Sequence, residues 1–196
     1  MAREKEERFV AKLTYSMFVS LDGFIETPSR GLDWYVIDEE LHRFANDQAR
    51  ETGVMLYGRR LYETMAAYWP TADADPSSPE YVVEYARIWK ETPKVVFSKT
   101  LEKVDWNSRL VRDDAAGEIA RLKAQPGKDL AIGGPSLASA AVRLGLIDEF
   151  RPFVHPVVIG AGTPFLPAWD GRIRLRLLDT RCFGSGVVYL RYERAD

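Results

Sequence analysis

Cysteine is almost missing from this chain. Cys182 is the one thiol in 196 residues, which excludes an internal disulfide and a multi-cysteine zinc site and leaves a buried, inert thiol as the expectation. Histidine is nearly as scarce, with only His42 and His155, so no metal centre is expected; His155, set among apolar residues beside Pro156, reads as a core or turn histidine. Neither sign of charge dominates. The 27 Lys and Arg against 29 Asp and Glu give a formal net charge of -2, so nucleic acid is not an expected partner and any anion site must be local. No apolar run approaches the length that crosses a bilayer, so no membrane partner is expected. Residues 1–8 are charged and lack the apolar segment of a signal peptide, which makes the cytoplasm the expected compartment. They read as a charged, flexible N-terminus, and 9–196 as a single domain whose 46% hydrophobic content can bury a sizeable core.

The most informative stretch runs from Asp129 to Leu146. Leu130, Ala131 and Ile132 suit a strand buried on both faces, and Leu137, Ala141 and Leu144 recur at helical spacing. Gly133 and Gly134 lie between them. Glycine lets the backbone turn sharply and lets a ligand approach the main chain, while the following helix offers unpaired N–H groups and partial positive charge. A phosphate cradle and plain turn chemistry both fit this pattern. A second instance follows Gly53–Tyr57, where Gly58, Arg59 and Arg60 open another helical pattern. Two arginines on a helix N-terminus oppose its dipole, and a bound anion would resolve the conflict.

Elsewhere the chain reads as alternating strands and helices. Phe9–Ser20 suits a first strand, and Asp22–Gly23 a bend. A loop then carries Trp34 and Tyr35, and Asp38 caps a helix whose first turn holds Glu39 and Glu40. Those acids serve the helix, a substrate, or both. Val95–Phe97 is a third strand, ending in Ser98-Lys99-Thr100, a set equally suited to a turn or to phosphate and ribose. Phe150–Ile159 is strand-like, but Pro152 and Pro156 argue for an edge, a bulge or an interruption. Residues 172–177 alternate Arg with Ile or Leu, the pattern of a half-exposed strand, and 187–192 return as its hairpin partner. Strand–helix units to about residue 146 followed by strands alone imply an α/β fold. Its sheet is mixed and mostly parallel, with helices on both faces and a C-terminal antiparallel hairpin. Gly58, Ser98 and Gly133 all follow strands, so parallel neighbours would bring their turns to one sheet edge.

Five segments together resemble a known pattern. They are Ser20-Leu21-Asp22-Gly23-Phe24-Ile25, Gly58-Arg59-Arg60-Leu61-Tyr62-Glu63, Val96-Phe97-Ser98-Lys99, Ile132-Gly133-Gly134-Pro135-Ser136 and Pro156 through Phe165. Their order and spacing are similar to the dihydrofolate reductase superfamily, and most similar to its branch containing the reductase domain of the bifunctional riboflavin-biosynthesis deaminase-reductase. The resemblance implies a dihydrofolate-reductase-like three-layer fold, NADPH as hydride donor and a homodimer. It implies that Arg59 and Arg60 meet the adenosine 2′-phosphate, and that Ser98 and Lys99 line the adenosine side. Gly133, Gly134, Ser136 and Leu137 would cradle the pyrophosphate, Gly58 would also bind the cofactor, and Asp22 and Gly23 would sit beside the nicotinamide. Leu61 stands where classical dihydrofolate reductases carry a hydroxyl residue, and Pro135 where they carry a third glycine. The riboflavin reductase's Asp-x-Pro-x-Leu-x-x-Arg segment and the deaminase's zinc motif are absent.

On that resemblance the expected activity is reduction of a C=N or related bond in a small nitrogen heterocycle. Glu40, or Asp38 in its place, is the candidate for holding a ring N–H. Trp34, Phe44 and Tyr62 could stack on the ring or simply fill the core. A non-catalytic NADPH- or nucleotide-binding module on the same fold is the alternative, and a structural subunit whose turns bind nothing is a third reading.

Overall fold

The computed structural model describes residues 11–168 and 170–195. Its main sheet contains β1 (Leu13–Ser20), β3 (Thr52–Gly58), β4 (Lys94–Phe97), β5 (Ser108–Val111), β6 (Asp129–Gly133), β7 (Glu149–His155), β9 (Leu175–Cys182) and β10 (Val188–Arg194). They lie in the order β5-β4-β3-β6-β1-β7-β10-β9. The pairings from β5 through β7 are parallel, and β10 joins β7 and β9 antiparallel. A separate two-stranded ribbon pairs β2 (Phe24–Glu26) with β8 (Thr163–Pro164). The helices are α1 (Glu39–Arg50), α2 (Arg59–Tyr68), α3 (Glu80–Glu91), α4 (Ala115–Lys123) and α5 (Pro135–Arg143).

Strand alternation sorts the core into two layers. Leu56 and Val95 pack with Ile119 of α4 and Ala138, Ala141 and Val142 of α5. Their neighbours Met55, Tyr57 and Val96 pack instead with Ala49 of α1, Tyr62 of α2 and Trp89 of α3. The sheet is thus covered on both sides, as expected of parallel strands. Because β4, β3 and β6 are parallel neighbours, the turns at Ser98, Gly58 and Gly133 do reach the same carboxyl edge.

Two expectations require correction, and a third holds in one of its alternatives. Of the edge, bulge or interruption expected over Phe150–Ile159, the interruption is what forms: β7 ends at His155, before Pro156, and lies between β1 and β10 rather than at an edge. Pro152 is tolerated because the ladder to β10 lapses there, resuming at Phe153 and Phe150 on either side of the gap. β9 is exposed along its whole length rather than half-exposed, because it is the last strand of the sheet and α1 reaches it only at Arg181. Cys182, at the end of that strand, is accordingly exposed and not buried. The expectation for residues 1–8 lies outside the described residues.

Candidate active site

A cavity of about 1030 Å³ opens at the carboxyl edge of the parallel strands and extends under α1. One end is a cradle of Gly58, Arg59, Arg60, Gly133, Gly134, Ser136 and Leu137; toward the other, Met17, Phe18, Leu32, Tyr35 and Ile37 provide apolar and aromatic walls.

The cradle is made by two helix N-termini that differ from the rest. α1 is capped by Asp38 and carries Glu39 and Glu40 in its first turn, and α4 is capped by Asp114 and carries Glu118. α3 carries Glu80 in its first turn. By contrast, α2 and α5 have glycine caps, Gly58 and Gly134, with no side-chain cap bond and no first-turn acid. These two point at the cavity. Among the described residues, the N–H groups of Ser136 and Leu137 have no backbone acceptor; the first bond of α5 runs from Ala138 N–H to the Gly134 carbonyl. Unpaired N–H groups and two aligned dipoles make this end fit an anion. The glycines are needed for the fit. Gly134 sits at φ +90°, and a Cβ on Gly133 would come within 2.5 Å of the Leu61 side chain.

The arginines diverge. Arg59 lies at the open rim, its Nε donating to Glu63 at 2.8 Å and its Nη1 to the Thr100 hydroxyl at 2.7 Å. Arg60 turns inward, its Nη2 donating to both carboxylate oxygens of Glu26, at 2.5 and 2.6 Å. It is therefore engaged by an acid and does not project with Arg59 toward one shared phosphate position. Ser98 and Lys99 line a separate recess of about 260 Å³ that shares Phe97 with the main cavity. There the Ser98 hydroxyl accepts from the N–H groups of Thr100 and Leu101, a turn, and Lys99 is 3.7 Å from Asp113.

The remaining expected site residues lie off the cavity wall. Asp22 closes a turn, accepting from Gly160 N–H at 2.7 Å and Ile159 N–H at 3.3 Å. The Ser20 hydroxyl first, and these amides with it, hold its carboxyl below the usual range despite desolvation. Gly23 follows in the same turn, its N–H bonded to the Ser20 carbonyl. Asp38 is spent on capping, accepting from Leu41 N–H at 2.8 Å and Ser185 N–H at 2.7 Å. Glu40 faces outward to an ion pair with Arg181 at 2.8 Å. Helical phase explains this: the α1 residues on the cavity are Leu41, His42, Ala45, Gln48 and Ala49, and Glu40 falls outside that stripe. Phe44 packs against Phe153, Phe183 and Tyr189. Tyr62 is buried, its hydroxyl bonded to the backbone of Asp105. Trp34 stands edge-on to Tyr35, with ring centroids 4.5 Å apart, one layer behind the wall.

Sequence reasoning did not find Glu26. It lines the cavity, is only 6% exposed, and accepts from the Thr163 hydroxyl at 2.5 Å as well as from Arg60. Burial raises its affinity for a proton, but Thr163 and Arg60 outweigh that, so the carboxyl stays below its ordinary pKa and is ionised at neutral pH. The Gly160–Thr163 segment delivers the hydroxyl, because Gly162 lets β8 pass hard against β2: a Cβ there would lie 1.9 Å from the Glu26 carbonyl oxygen. An isolated acid after Phe24-Ile25 was the available sign. Its meaning depends on a ribbon between segments far apart in sequence.

The model of the RibD C-terminal domain matches residues 11–189. The chain belongs to that family. The chain is also similar to a protein of Bacillus subtilis (strain 168), the uncharacterized protein YyaP, 35% identical over 193 residues and covering 96% of both chains. Dihydrofolate reductase from Enterococcus faecalis, solved with NADP(H), superposes with a TM-score of 0.66 at 13% identity over 96% of this chain and 99% of that one. A deaminase/5-amino-6-(5-phosphoribosylamino)uracil reductase from Thermotoga maritima gives 0.65 at 15% identity, over 95% of this chain and 57% of that one. At these identities the structures establish the fold, which is dihydrofolate-reductase-like. Both are named as reductases.

Proposed function

We propose that this RibD C-terminal domain chain is an NADPH-dependent reductase of a small nitrogen heterocycle of the riboflavin or folate type. The observation that carries the reading is the meeting of the two acid-free helix N-termini, α2 and α5, with Arg59 at the rim of one large cavity. An elongated, anionic cofactor suits that end and a flat heterocycle suits the apolar one.

In this reading the N–H groups of Ser136 and Leu137, with the glycine turns at Gly58, Gly133 and Gly134, hold the pyrophosphate. Arg59 leaves Glu63 and Thr100 to take the 2′-phosphate with a charged, forked contact. The adenosine side extends past Phe97 toward Ser98 and Lys99. Bound NADPH supplies the hydride. The protein's part is to place the heterocycle against Met17, Phe18 and Tyr35, keep water out and fix the orientation of the acceptor carbon. Asp22 and Gly23, on the turn beside the cavity, act through the loop they anchor. Glu40, Asp38, Phe44, Tyr62 and Trp34 support the walls from behind. A homodimer through the uncovered β9 belongs to the same reading.

Parallel titrations with NADPH and NADH, followed by tryptophan fluorescence, test it. Arg59→Ala should weaken NADPH about ten- to hundredfold, the loss of a charged hydrogen-bonded contact, and leave NADH unchanged. Failure of the unaltered protein to bind either nucleotide would remove the cofactor assignment.

A further inference from the structure

The cavity holds one ion pair that neither an anion cradle nor an apolar wall explains. Glu26 lies at the end of β2 and Arg60 in the first turn of α2, so the pair joins the cradle to the apolar end. It is incompletely satisfied. Glu26 Oε1 accepts from both Thr163 and Arg60, but Oε2 accepts from Arg60 alone. Arg60 spends only Nη2; among the described residues its Nε and Nη1 have no partner. A carboxylate has about four acceptor positions and a guanidinium five donors, so an acceptor and a donor remain side by side, facing a cavity that both residues line.

We infer that Glu26 and Arg60 form the edge that selects the substrate, Glu26 Oε2 accepting a ring N–H while Arg60 donates to the carbonyl beside it. The inference rests on the heterocycle-reductase reading and narrows its substrate to rings with a lactam edge, N–H next to C=O. Selection of this kind is strong because a ring lacking the N–H leaves a buried charged group without its partner. Glu26 is a binding residue in this assignment and not the proton donor, since Arg60 and Thr163 favour its ionised form.

Two probes isolate the contact: 5,6-diaminouracil, which carries the lactam edge, and 5,6-diamino-1,3-dimethyluracil, the same ring with both ring N–H groups methylated. Each is titrated by calorimetry with and without NADPH, against the unaltered protein and Glu26→Gln. The glutamine keeps the shape. Arg60 and Thr163 both donate, so they claim its carbonyl oxygen and turn its NH2 toward the ring, replacing an acceptor by a donor. The expected result is about ten- to hundredfold preference of the unaltered protein for the unmethylated ring, collapsing to within about threefold in Glu26→Gln. NADPH affinity should be the same in both proteins. Should the glutamine variant not fold, Glu26→Asp, which keeps the charge but withdraws it by one methylene, is expected to lose the preference too. Equal binding of the two probes to the unaltered protein, no binding of either, or a preference that survives both substitutions overturns the inference. Absence of NADPH binding with the preference intact overturns the reductase reading instead.

Discussion

His155 should make the fold lose stability on acidification within a defined window. Its ring is fully buried at the end of β7, stacked on Tyr35 and edge-on to Trp34 and Phe18. Nδ1 accepts from Val36 N–H at 3.2 Å, which places the ring proton on Nε2, an atom with no partner among the described residues. Protonation would turn Nδ1 into a donor facing another donor, inside an aromatic cluster that cannot solvate charge. Burial accordingly lowers its pKa from 6.5 to about 4. The unfolded chain therefore binds more protons than the folded one between those values, and stability must fall as pH falls through 6.5 toward 4. The loss approaches 1.4 kcal/mol per pH unit and totals about 3 kcal/mol. Above pH 6.5 the contribution is flat. Urea unfolding of the unaltered protein and of His155→Asn, from pH 7.5 to 4, checks this, because carboxylates common to both cancel in the difference. The asparagine can keep an acceptor for Val36 but loses the ring packing, so at pH 7.5 it should be less stable by about 2 kcal/mol. The two curves should converge on acidification and cross before pH 4. Curves that stay parallel would show that His155 does not titrate as its surroundings require. Because Tyr35 and Ile37 line the cavity, ligand affinity of the folded protein should hold across that range and weaken only as the pH nears 4, where the buried ring itself takes up a proton.

Two further predictions concern the ribbon and the sheet edge. Gly162→Ala should destabilise the fold by about 2–3 kcal/mol, since its Cβ would overlap the Glu26 carbonyl, and should reduce heterocycle binding by displacing Thr163. Gly160→Ala, which meets nothing within 4 Å but also has positive φ, should cost only about 1 kcal/mol and leave binding intact; thermal melts and titration separate the two. Leu177, 50% exposed on β9 between Leu175 and Leu178, belongs to the proposed dimer contact. Leu177→Glu should shift the protein from dimer to monomer by light scattering, and an unchanged mass would exclude that surface.

What could be read from the sequence was local. The Asp38 cap, the glycine turns and the missing first-turn acids of α2 and α5 each sit within a few residues of their own consequence, so the geometry of those helix starts was legible. Glu40 was misplaced by helical phase, because the stripe through Leu41, Ala45 and Ala49 excludes a residue one step earlier. Pro152 suggested an edge, a bulge or an interruption, and the interruption, a gap in one ladder, is what accommodates it in mid-sheet. Glu26 and Cys182 were illegible for a common reason. Whether a carboxylate meets an arginine, or a thiol meets water, was decided by strands brought together from distant parts of the chain.

The same separation bears on how the molecule is made. β1 is the earliest described strand, yet Leu13 pairs with Leu130 and Thr14 with Glu149. A ribosome must therefore release most of the chain before β1 has either neighbour. Until then its apolar residues, Leu13, Tyr15, Met17 and Val19, have no sheet to join. Closing such long loops is slow, and an unpaired apolar strand invites association with other chains while it waits. Yield of soluble protein should thus respond to synthesis rate and temperature more steeply than the stability of the finished fold does.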